Sequence, residues 1–95
     1  MVYYIPMRKR FIIKVHGKVQ GVYFRHTTQR VARKLHLKGF VKNEEEGSVR
    51  IEAVGDSEQL KKLVEWCHQG SPHSIVDRVS VRVGTMKPYD HFSIK

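Results

Sequence analysis

The sequence contains a single cysteine, Cys67, so no disulfide can form within the chain. It also lacks any apolar run close to the roughly 20 residues that a membrane-spanning helix requires. Its first residues, MVYYIPMRKR, do not follow the order of a secretion signal, in which positive charges precede a longer apolar stretch. We therefore expect a cytoplasmic protein without a membrane partner.

Proline and low-complexity segments are also scarce. Only 3 of the 95 residues are proline, and no Pro- or Ser-rich stretch separates one part of the chain from another. A chain of this length is enough for one domain with one modest core. We assign residues 11–95 to this domain and residues 1–10 to an N-terminal extension, which we expect to be partly disordered.

Acidic residues are rare in the first half of the chain. Residues 1–50 contain 12 Lys or Arg against 3 Asp or Glu, whereas residues 51–95 contain 6 of each, and the whole chain carries a net charge of +9. Such a field attracts anions. A solvated basic surface, a site for a small phosphorylated substrate and a nucleic-acid surface are all compatible with it, and charge alone does not choose among them.

What is present is a regular succession of strand and helix patterns. Residues 11–16, FIIKVH, alternate as a half-buried strand does. From Phe24 the apolar period changes to that of an amphipathic helix, which extends to Leu35. Two further strands, residues 39–43 and 48–54, flank the turn EEEG and predict a hairpin.

A second helix and two more strands complete the predicted fold. Asp56 has the character of a helix N-cap, an apolar stripe from Leu60 to Cys67 defines the helix, and Gly70 ends it. Residues 78–83 predict a fourth strand, and the final HFSIK predicts a short fifth one. The resulting βαββαβ order with a short terminal strand is an α+β, ferredoxin-like split βαβ fold, with two helices on one face of an antiparallel sheet.

One stretch, GKVQGVYFR at residues 17–25, carries chemical information. It connects the first strand to the first helix. Gly17 and Gly21 allow positive φ angles, so successive N–H groups can converge on a phosphate, which the N-terminus of the next helix also favours. Arg25 can bind two phosphate oxygens with its planar fork. From spacing alone, a phosphate cradle and a tight turn with a solvated arginine are equally compatible with the sequence.

This stretch resembles the acylphosphatase signature Gly-x-Val-Gln-Gly-Val-x-Phe-Arg. Residues 39–49, GFVKNEEEGSV, resemble the second motif of the same family, a Gly-aromatic-Val-basic-Asn segment followed by a turn and Gly-x-Val. Both motifs occur in the family's order and at a similar spacing. The resemblance covers residues 11–95 and implies a ferredoxin-like fold and the hydrolysis of acyl phosphates to a carboxylate and inorganic phosphate.

The resemblance implies a role for each site residue. Arg25 matches the arginine that binds the phosphate, and Asn43 matches the asparagine that holds the attacking water, so these two are the predicted catalytic residues. The backbone of residues 17–23 matches the phosphate loop. The predicted substrate phosphate-binding residues are thus Gly17, Lys18, Val19, Gln20, Gly21, Val22, Tyr23 and Arg25.

The resemblance also implies the partners. Small-molecule acyl phosphates are the expected substrates, and inorganic phosphate is the expected product and competitive inhibitor. No metal or other cofactor is expected, and none of the six histidines forms a ligand-spaced pair with a cysteine or another histidine. We expect a monomer.

Without the resemblance, other interpretations remain open. Asn43 is also a common type of residue before a turn. The basic charge also fits a nucleic-acid-binding module of the same fold. The predicted outer faces of the first and third strands, however, have no stacking aromatic side chain; they offer Ile12, Lys14, His16, Arg50, Glu52 and Val54. Nucleic acid is therefore the alternative partner and not the expected one.

The sequence departs from the family pattern at two places that affect local structure. His36 stands where the family often has the glycine of a Leu-Gly-Leu helix end, and a non-glycine residue there is strained if its φ is positive. The stretch GSPHSIVDRV differs from the usual Gly-Pro-Pro stretch. The sequence therefore does not predict the conformation of residues 70–77.

Overall fold

The computed structural model of the protein describes residues 7–95, and its elements follow the predicted order. The first strand begins at Arg8, earlier than the predicted start at Phe11, so residues 8–10 belong to the sheet rather than to an extension. Residues 1–6, which hold most of the remaining predicted extension, lie outside the described residues. The elements are β1 (Arg8–Lys18), α1 (Phe24–Lys34), β2 (Lys38–Asn43), β3 (Val49–Asp56), α2 (Ser57–Gln69), β4 (Ile75–Gly84) and β5 (Phe92–Ile94).

The five strands form one sheet in the order β4-β1-β3-β2-β5. The first four strands pair in antiparallel fashion, as predicted, whereas β5 pairs in parallel with β2. The prediction of an antiparallel sheet was therefore wrong for this strand. The reason is topological, because residues 85–91 carry the chain across the sheet from β4 at one edge to β5 at the other.

The hydrophobic core lies between one face of the sheet and the two helices. α1 buries Phe24, Thr28 and Ala32 and packs mainly against β2 and β5, whereas α2 packs mainly against β4 and β3. The apolar stripes predicted for both helices are confirmed by this burial. Within residues 7–95, neither helix is long and apolar enough to cross a membrane. The core also includes Ile13, Val15, Val41, Val49, Ile51, Leu60 and Leu63.

α1 ends in a left-handed residue. His36 has a φ of 58°, and its N–H donates to the carbonyl of Arg33 at 3.1 Å, while the N–H of Leu37 donates to the carbonyl of Ala32 at 2.9 Å. This is the Schellman arrangement, in which glycine is the usual residue at the position of His36. His36 therefore has the positive φ at which a non-glycine residue is strained.

The sheet face opposite the helices carries a buried ion-pair network. Glu52 is 5% exposed and accepts hydrogen bonds from Arg10, from Arg50 at 2.8 Å and from the Tyr89 hydroxyl at 2.9 Å. Arg10, itself 4% exposed, also donates to the carbonyl of Thr85 at 3.3 Å. The network therefore ties β1 and β3 to the segment that crosses the sheet.

We expect this network to make the stability of the fold depend on acid pH. Burial alone would raise the pKa of Glu52, but hydrogen bonds from Arg10, Arg50 and Tyr89 lower it from 4.5 to about 2. The ionised carboxylate therefore stabilises the fold fully above about pH 4.5, and this contribution is lost as the pH falls to about 2. The shift corresponds to roughly 3 kcal/mol in the free energy of unfolding.

Urea denaturation at a series of pH values measures this dependence. In Glu52→Gln, the free energy of unfolding should fall less between neutral and acid pH than in the unchanged protein. At neutral pH it should be lower by about 3 kcal/mol, because Arg10 stays buried without its carboxylate. Glu65→Gln, which changes an exposed residue of α2, is the matched control and should alter neither. If the free energy of unfolding of Glu52→Gln fell with acid pH as steeply as that of the unchanged protein, the pH dependence would belong to other groups.

Candidate active site

A cavity of about 300 Å³ opens where β1 ends, α1 begins and β2 ends. Arg25 lies in the first turn of α1, and Asn43 is the last residue of β2. The two predicted catalytic residues, which are distant in the chain, therefore share one cavity. The residues that line it are Val19, Gly21, Tyr23, Phe24, Arg25, His26 and Asn43.

The 19–23 loop between β1 and α1 contributes three residues, Val19, Gly21 and Tyr23, to the lining of the cavity. Val19 and Val22 are buried, which anchors the loop on the core. Gly21 and Tyr23 have positive φ angles of 74° and 60°. Positive φ in such a loop lets successive N–H groups converge on one anion. Tyr23 takes this conformation although it is not glycine, and strain of this kind is concentrated in functional loops.

The first turn of α1 adds further donors. Within residues 7–95 no side chain caps the N-terminus of this helix, and its first turn contains no acidic residue. Its first N–H groups are therefore not occupied by a carboxylate or hydroxyl, and the positive end of the helix dipole adjoins the cavity. A bound anion would satisfy these donors.

Gly17 and Lys18, which the sequence assigns to the phosphate loop, belong to β1. They pair with Val76 and Ile75 of β4, beyond a β-bulge. Gly17 has a φ of 132°, and a side chain there would overlap the backbone carbonyl of Ile75, so only glycine allows this close approach of the two strands. Neither Gly17 nor Lys18 lines the cavity. The structure gives Gly17 a packing role at the strand end.

The guanidinium of Arg25 is held beside the cavity by the end of the chain after β5. Its Nη1 donates to the carbonyl of Lys95 at 3.1 Å. Lys95 is fixed in turn, because its N–H donates to the carbonyl of Val41 at 2.8 Å and its Nζ lies 4.1 Å from the centroid of the Phe40 ring. Among residues 7–95 the bond to Lys95 is the one hydrogen bond that the Arg25 side chain forms, so it orients the guanidinium while its other donors face no partner within that range.

The side-chain oxygen of Asn43 is buried and has no hydrogen-bond partner among residues 7–95. A turn residue would use this oxygen to accept from a backbone N–H of the turn. Here the turn is closed by other bonds, from the N–H of Glu44 to the carbonyl of Ser48 at 2.8 Å and from the N–H of Gly47 to the carbonyl of Glu44 at 3.1 Å. A buried, unpaired acceptor is costly, so this oxygen suits a ligand or water in the cavity.

Gln20 joins the 19–23 loop to the turn that follows Asn43. Its Nε2 donates to the carbonyls of Glu44 at 2.8 Å and Ser48 at 3.0 Å. The side chain of this predicted phosphate-binding residue is thus directed at the hairpin, where it fixes the spacing between the loop and Asn43. The sequence motif marks Gln20 as important, but it does not indicate this partner.

Ser71 holds the other side of the loop. It is 2% exposed, and its Oγ donates to the carbonyl of Val22 at 2.9 Å. The N–H and Oγ of Ser74 both donate to the carbonyl of Ser71, at 3.0 and 2.7 Å, and β4 begins at Ile75. Residues 70–77, whose conformation the sequence does not predict, therefore form a support for the 19–23 loop.

The cavity offers positive charge, and the single cysteine of the chain does not line it. Cys67 lies in the core, where burial raises the pKa of its thiol to about 12, so it stays protonated. No carboxylate of the described residues lines the cavity. Among residues 7–95, no three His, Cys, Asp or Glu side chains are grouped in a way that could hold a metal ion. Fold and site together define an α+β domain in which the 19–23 loop, the first turn of α1 and the end of β2 meet at one cavity.

Comparison with known proteins identifies the family. A sequence profile described as Acylphosphatase matches residues 11–94. An acylphosphatase of Thermotoga petrophila is 44% identical over 87 residues, which cover 92% of this chain and 97% of that protein. The crystal structure of an acylphosphatase from Bacillus subtilis has a TM-score of 0.89 at 40% identity, over 94% of this chain and 99% of that one. An acylphosphatase from Coxiella burnetii has a TM-score of 0.90 at 33% identity, over 93% of each chain.

The chain belongs to the acylphosphatase family. The match spans both sequence motifs, and the solved structures confirm the ferredoxin-like fold class that the sequence predicts. These relatives do not favour the alternative of a nucleic-acid-binding module.

Proposed function

We propose that the protein hydrolyses the carboxyl-phosphate bond of acyl phosphates and releases a carboxylate and inorganic phosphate. The observation that carries this proposal is that Arg25 and Asn43, which are distant in the chain, line one cavity, and that the side-chain oxygen of Asn43 has no partner among the described residues. Phosphate binding alone needs only the positive groups, whereas an unpaired acceptor beside them suits a water molecule. Membership of the acylphosphatase family supports the same reaction.

The phosphate is held by main-chain N–H groups of the 19–23 loop, by the first turn of α1 and by Arg25. The planar guanidinium binds two of its oxygens, and these donors take up charge that develops on the non-bridging oxygens. Phosphoryl transfer depends mainly on this kind of charge stabilisation and on in-line positioning. The acyl phosphate also brings a good leaving group, the carboxylate, so no covalent intermediate is required.

Asn43 positions the attacking water. The water donates one hydrogen bond to Oδ1, which leaves a lone pair of its oxygen directed at phosphorus. The bond from the water oxygen to phosphorus forms as the bond to the acyl oxygen breaks, and the carboxylate leaves with the bonding electron pair. A phosphate oxygen of the substrate takes the proton that the water loses, since no carboxylate of residues 7–95 lines the cavity and His26 is assigned to the acyl end of the substrate.

The acyl group occupies the rim of the cavity beside Tyr23 and His26. Their ring centroids are 6.5 Å apart, and Tyr23 is 77% exposed. The rim therefore offers aromatic surface without an enclosing pocket, and we expect broad tolerance of the acyl group. Inorganic phosphate, as the product, uses the same donors as the substrate and should compete with it.

The direct test is the hydrolysis of benzoyl phosphate after exhaustive treatment with EDTA. We expect full activity and competitive inhibition by inorganic phosphate, because N–H groups and Arg25 supply the positive charge in place of a metal. Loss of activity that returns with Mg²⁺ or Zn²⁺ would contradict the metal-independent mechanism. A protein that leaves benzoyl phosphate intact but binds a short RNA at physiological salt would favour the nucleic-acid alternative.

Gln20 should act as a positioning residue for this reaction. Gln20→Ala should lower kcat about tenfold at a nearly unchanged KM, because the loop would bind phosphate but would no longer be held in register with Asn43. Steady-state kinetics with benzoyl phosphate measure the change. Gln29→Ala is the matched control, since the Nε2 of Gln29 donates to the carbonyl of Phe92 at 3.0 Å, away from the cavity. If Gln20→Ala and Gln29→Ala lowered kcat equally, Gln20 would contribute only to the general stability of the fold.

The setting of the reaction follows from the same features. We propose a cytoplasmic location, which the buried free thiol of Cys67 supports, because a reducing compartment preserves unpaired cysteines. We also propose a monomer as the active form, because one copy of the chain brings Arg25, Asn43 and the 19–23 loop to the same cavity.

A further inference from the structure

A second cavity lies on the sheet face that the helices leave open. It has a volume of about 330 Å³ and shares no residue with the active-site cavity. Strands β4, β1 and β3 form its floor, and residues 85–91 cover the neighbouring part of the same face through contacts with Arg10. The residues that line this open-face cavity are Ile12, Lys14, Arg50, Ser80, Val81 and Arg82.

Strand register brings three cationic side chains to the open-face cavity. Lys14 of β1 lies opposite Arg50 of β3 and opposite Ser80 of β4, and Arg82 follows two residues later on the same face of β4. Cross-strand neighbours on one face are about 5 Å apart, and diagonal neighbours about 7–8 Å, so these charged groups can reach one ligand. Like charges directly opposite each other destabilise a sheet, and an anion between them would remove that repulsion.

Nearby carboxylates do not neutralise the open-face cavity. None of its lining residues is acidic. Glu52 is buried, and its carboxylate forms ion pairs with both Arg10 and Arg50. Arg50 contacts it through Nε at 2.8 Å, which leaves the two Nη groups of Arg50 for other partners. The Nζ of Lys14 lies 3.7 Å from a carboxylate oxygen of Glu46, and both side chains are exposed, so this ion pair is weak.

Arg82 supplies a guanidinium that forms no hydrogen bond or ion pair with the described residues. Planar guanidinium groups bind phosphate oxygens in pairs, and a volume of this size is at the small end of the range for ligand sites. We propose that the open-face cavity binds a compact, multiply charged phosphate-bearing small molecule at Lys14, Arg50 and Arg82, with pyrophosphate as the simplest representative. Ile12, which lies on the same face of β1 as Lys14, provides apolar contact for its uncharged part.

An extended nucleic-acid strand fits this surface less well. Binding of single strands depends on aromatic side chains for base stacking, and within the described part of the chain, residues 7–95, no aromatic residue lines the open-face cavity. The segment 85–91 also limits the length of open sheet along which a strand could lie. The observations therefore favour a small anion.

Titration of the intact, ¹⁵N-labelled protein with pyrophosphate tests the proposal by NMR, because amide shifts report the two cavities separately. We expect saturable shifts at Lys14, Ser80 and Arg82, with a midpoint different from that of Gly21 and Asn43 in the active site. Shifts confined to the active site would overturn the proposal. Amide shifts do not depend on hydrolysis, so this experiment tests the open-face cavity independently of the proposed reaction.

Arg82→Ser should weaken binding at the open-face cavity about tenfold, the effect of one lost charge-assisted hydrogen bond, and should leave benzoyl phosphate hydrolysis unchanged. Arg78→Ser is the matched control, since Arg78 lies on the same face of β4 and carries the same charge but does not line the cavity. Equal weakening of pyrophosphate binding in both variants would indicate that binding depends on the overall positive charge of the surface, and it would overturn the proposed site. Tighter binding of a ten-nucleotide RNA, with shifts that extend to His16 and Arg78, would replace the small anion with nucleic acid.

Discussion

Replacement of Arg25 by alanine is expected to weaken phosphate binding and to lower kcat about 10³-fold in the same variant. Among residues 7–95, Arg25 is the only arginine that lines the cavity, and we assign it to the phosphate in the ground state and the transition state alike. Lysine should restore little of the activity, because a point charge cannot reproduce the two-point contact of the fork. Calorimetric titration with phosphate and steady-state kinetics with benzoyl phosphate measure the two effects.

Arg33→Ala is the matched control for this variant. The Nη2 of Arg33 donates to the carbonyl of Phe92 at 3.3 Å, much as Arg25 donates to Lys95, and both arginines belong to α1. Each alanine variant loses one positive charge and one bond to the last segment of the chain, but only Arg25 lines the cavity. Equal losses of activity would assign the effect to the overall field or to anchoring of β5.

Replacement of Asn43 by alanine is expected to leave phosphate affinity nearly unchanged while kcat falls about 10²-fold or more, the scale of one lost positioning interaction. We assign the Asn43 oxygen to the water and not to the phosphate. Asn43→Asp should be no better, because a carboxylate beside a phosphate dianion adds repulsion. Phosphate calorimetry paired with kinetics, on variants shown by circular dichroism to be folded, measures both quantities.

Stability provides the control for Asn43. Removal of a buried acceptor that has no protein partner should leave the free energy of unfolding unchanged or slightly higher, whereas loss of a residue that closes the turn should lower it. A loss of phosphate binding as severe as that of Arg25→Ala would contradict the division of roles. Full kcat in Asn43→Ala would leave Asn43 with no role beyond the local structure of the hairpin.

Local sequence patterns were sufficient for most of the fold. The apolar period around Phe24 and Leu60 predicts both helices, because one buried stripe on a regular helix repeats at a fixed spacing. Arg25 and Asn43 were predicted from the two motifs, since each motif is a continuous segment whose residues keep their order in any structure. The cavity brings these two segments together as the motifs imply.

The ends of the strands and their order in the sheet were harder to predict from the sequence. β1 extends to Lys18 because Gly17 allows close approach to Ile75, a residue from the other half of the chain. The parallel direction of β5 depends on the path of residues 85–91 across the sheet. Neither feature leaves a periodic signal, because each depends on which strands become neighbours.

The sequence by itself determined the element order, the two helical stripes and the two motifs that contain Arg25 and Asn43. Only the tertiary structure decided how these residues are held. The bond from Arg25 to Lys95 joins residues 70 positions apart, and the bond from Ser71 to Val22 joins residues 49 positions apart. The physical reason is that a side chain's hydrogen-bond partner depends on how elements pack across the core, and packing between distant segments has no fixed spacing along the chain.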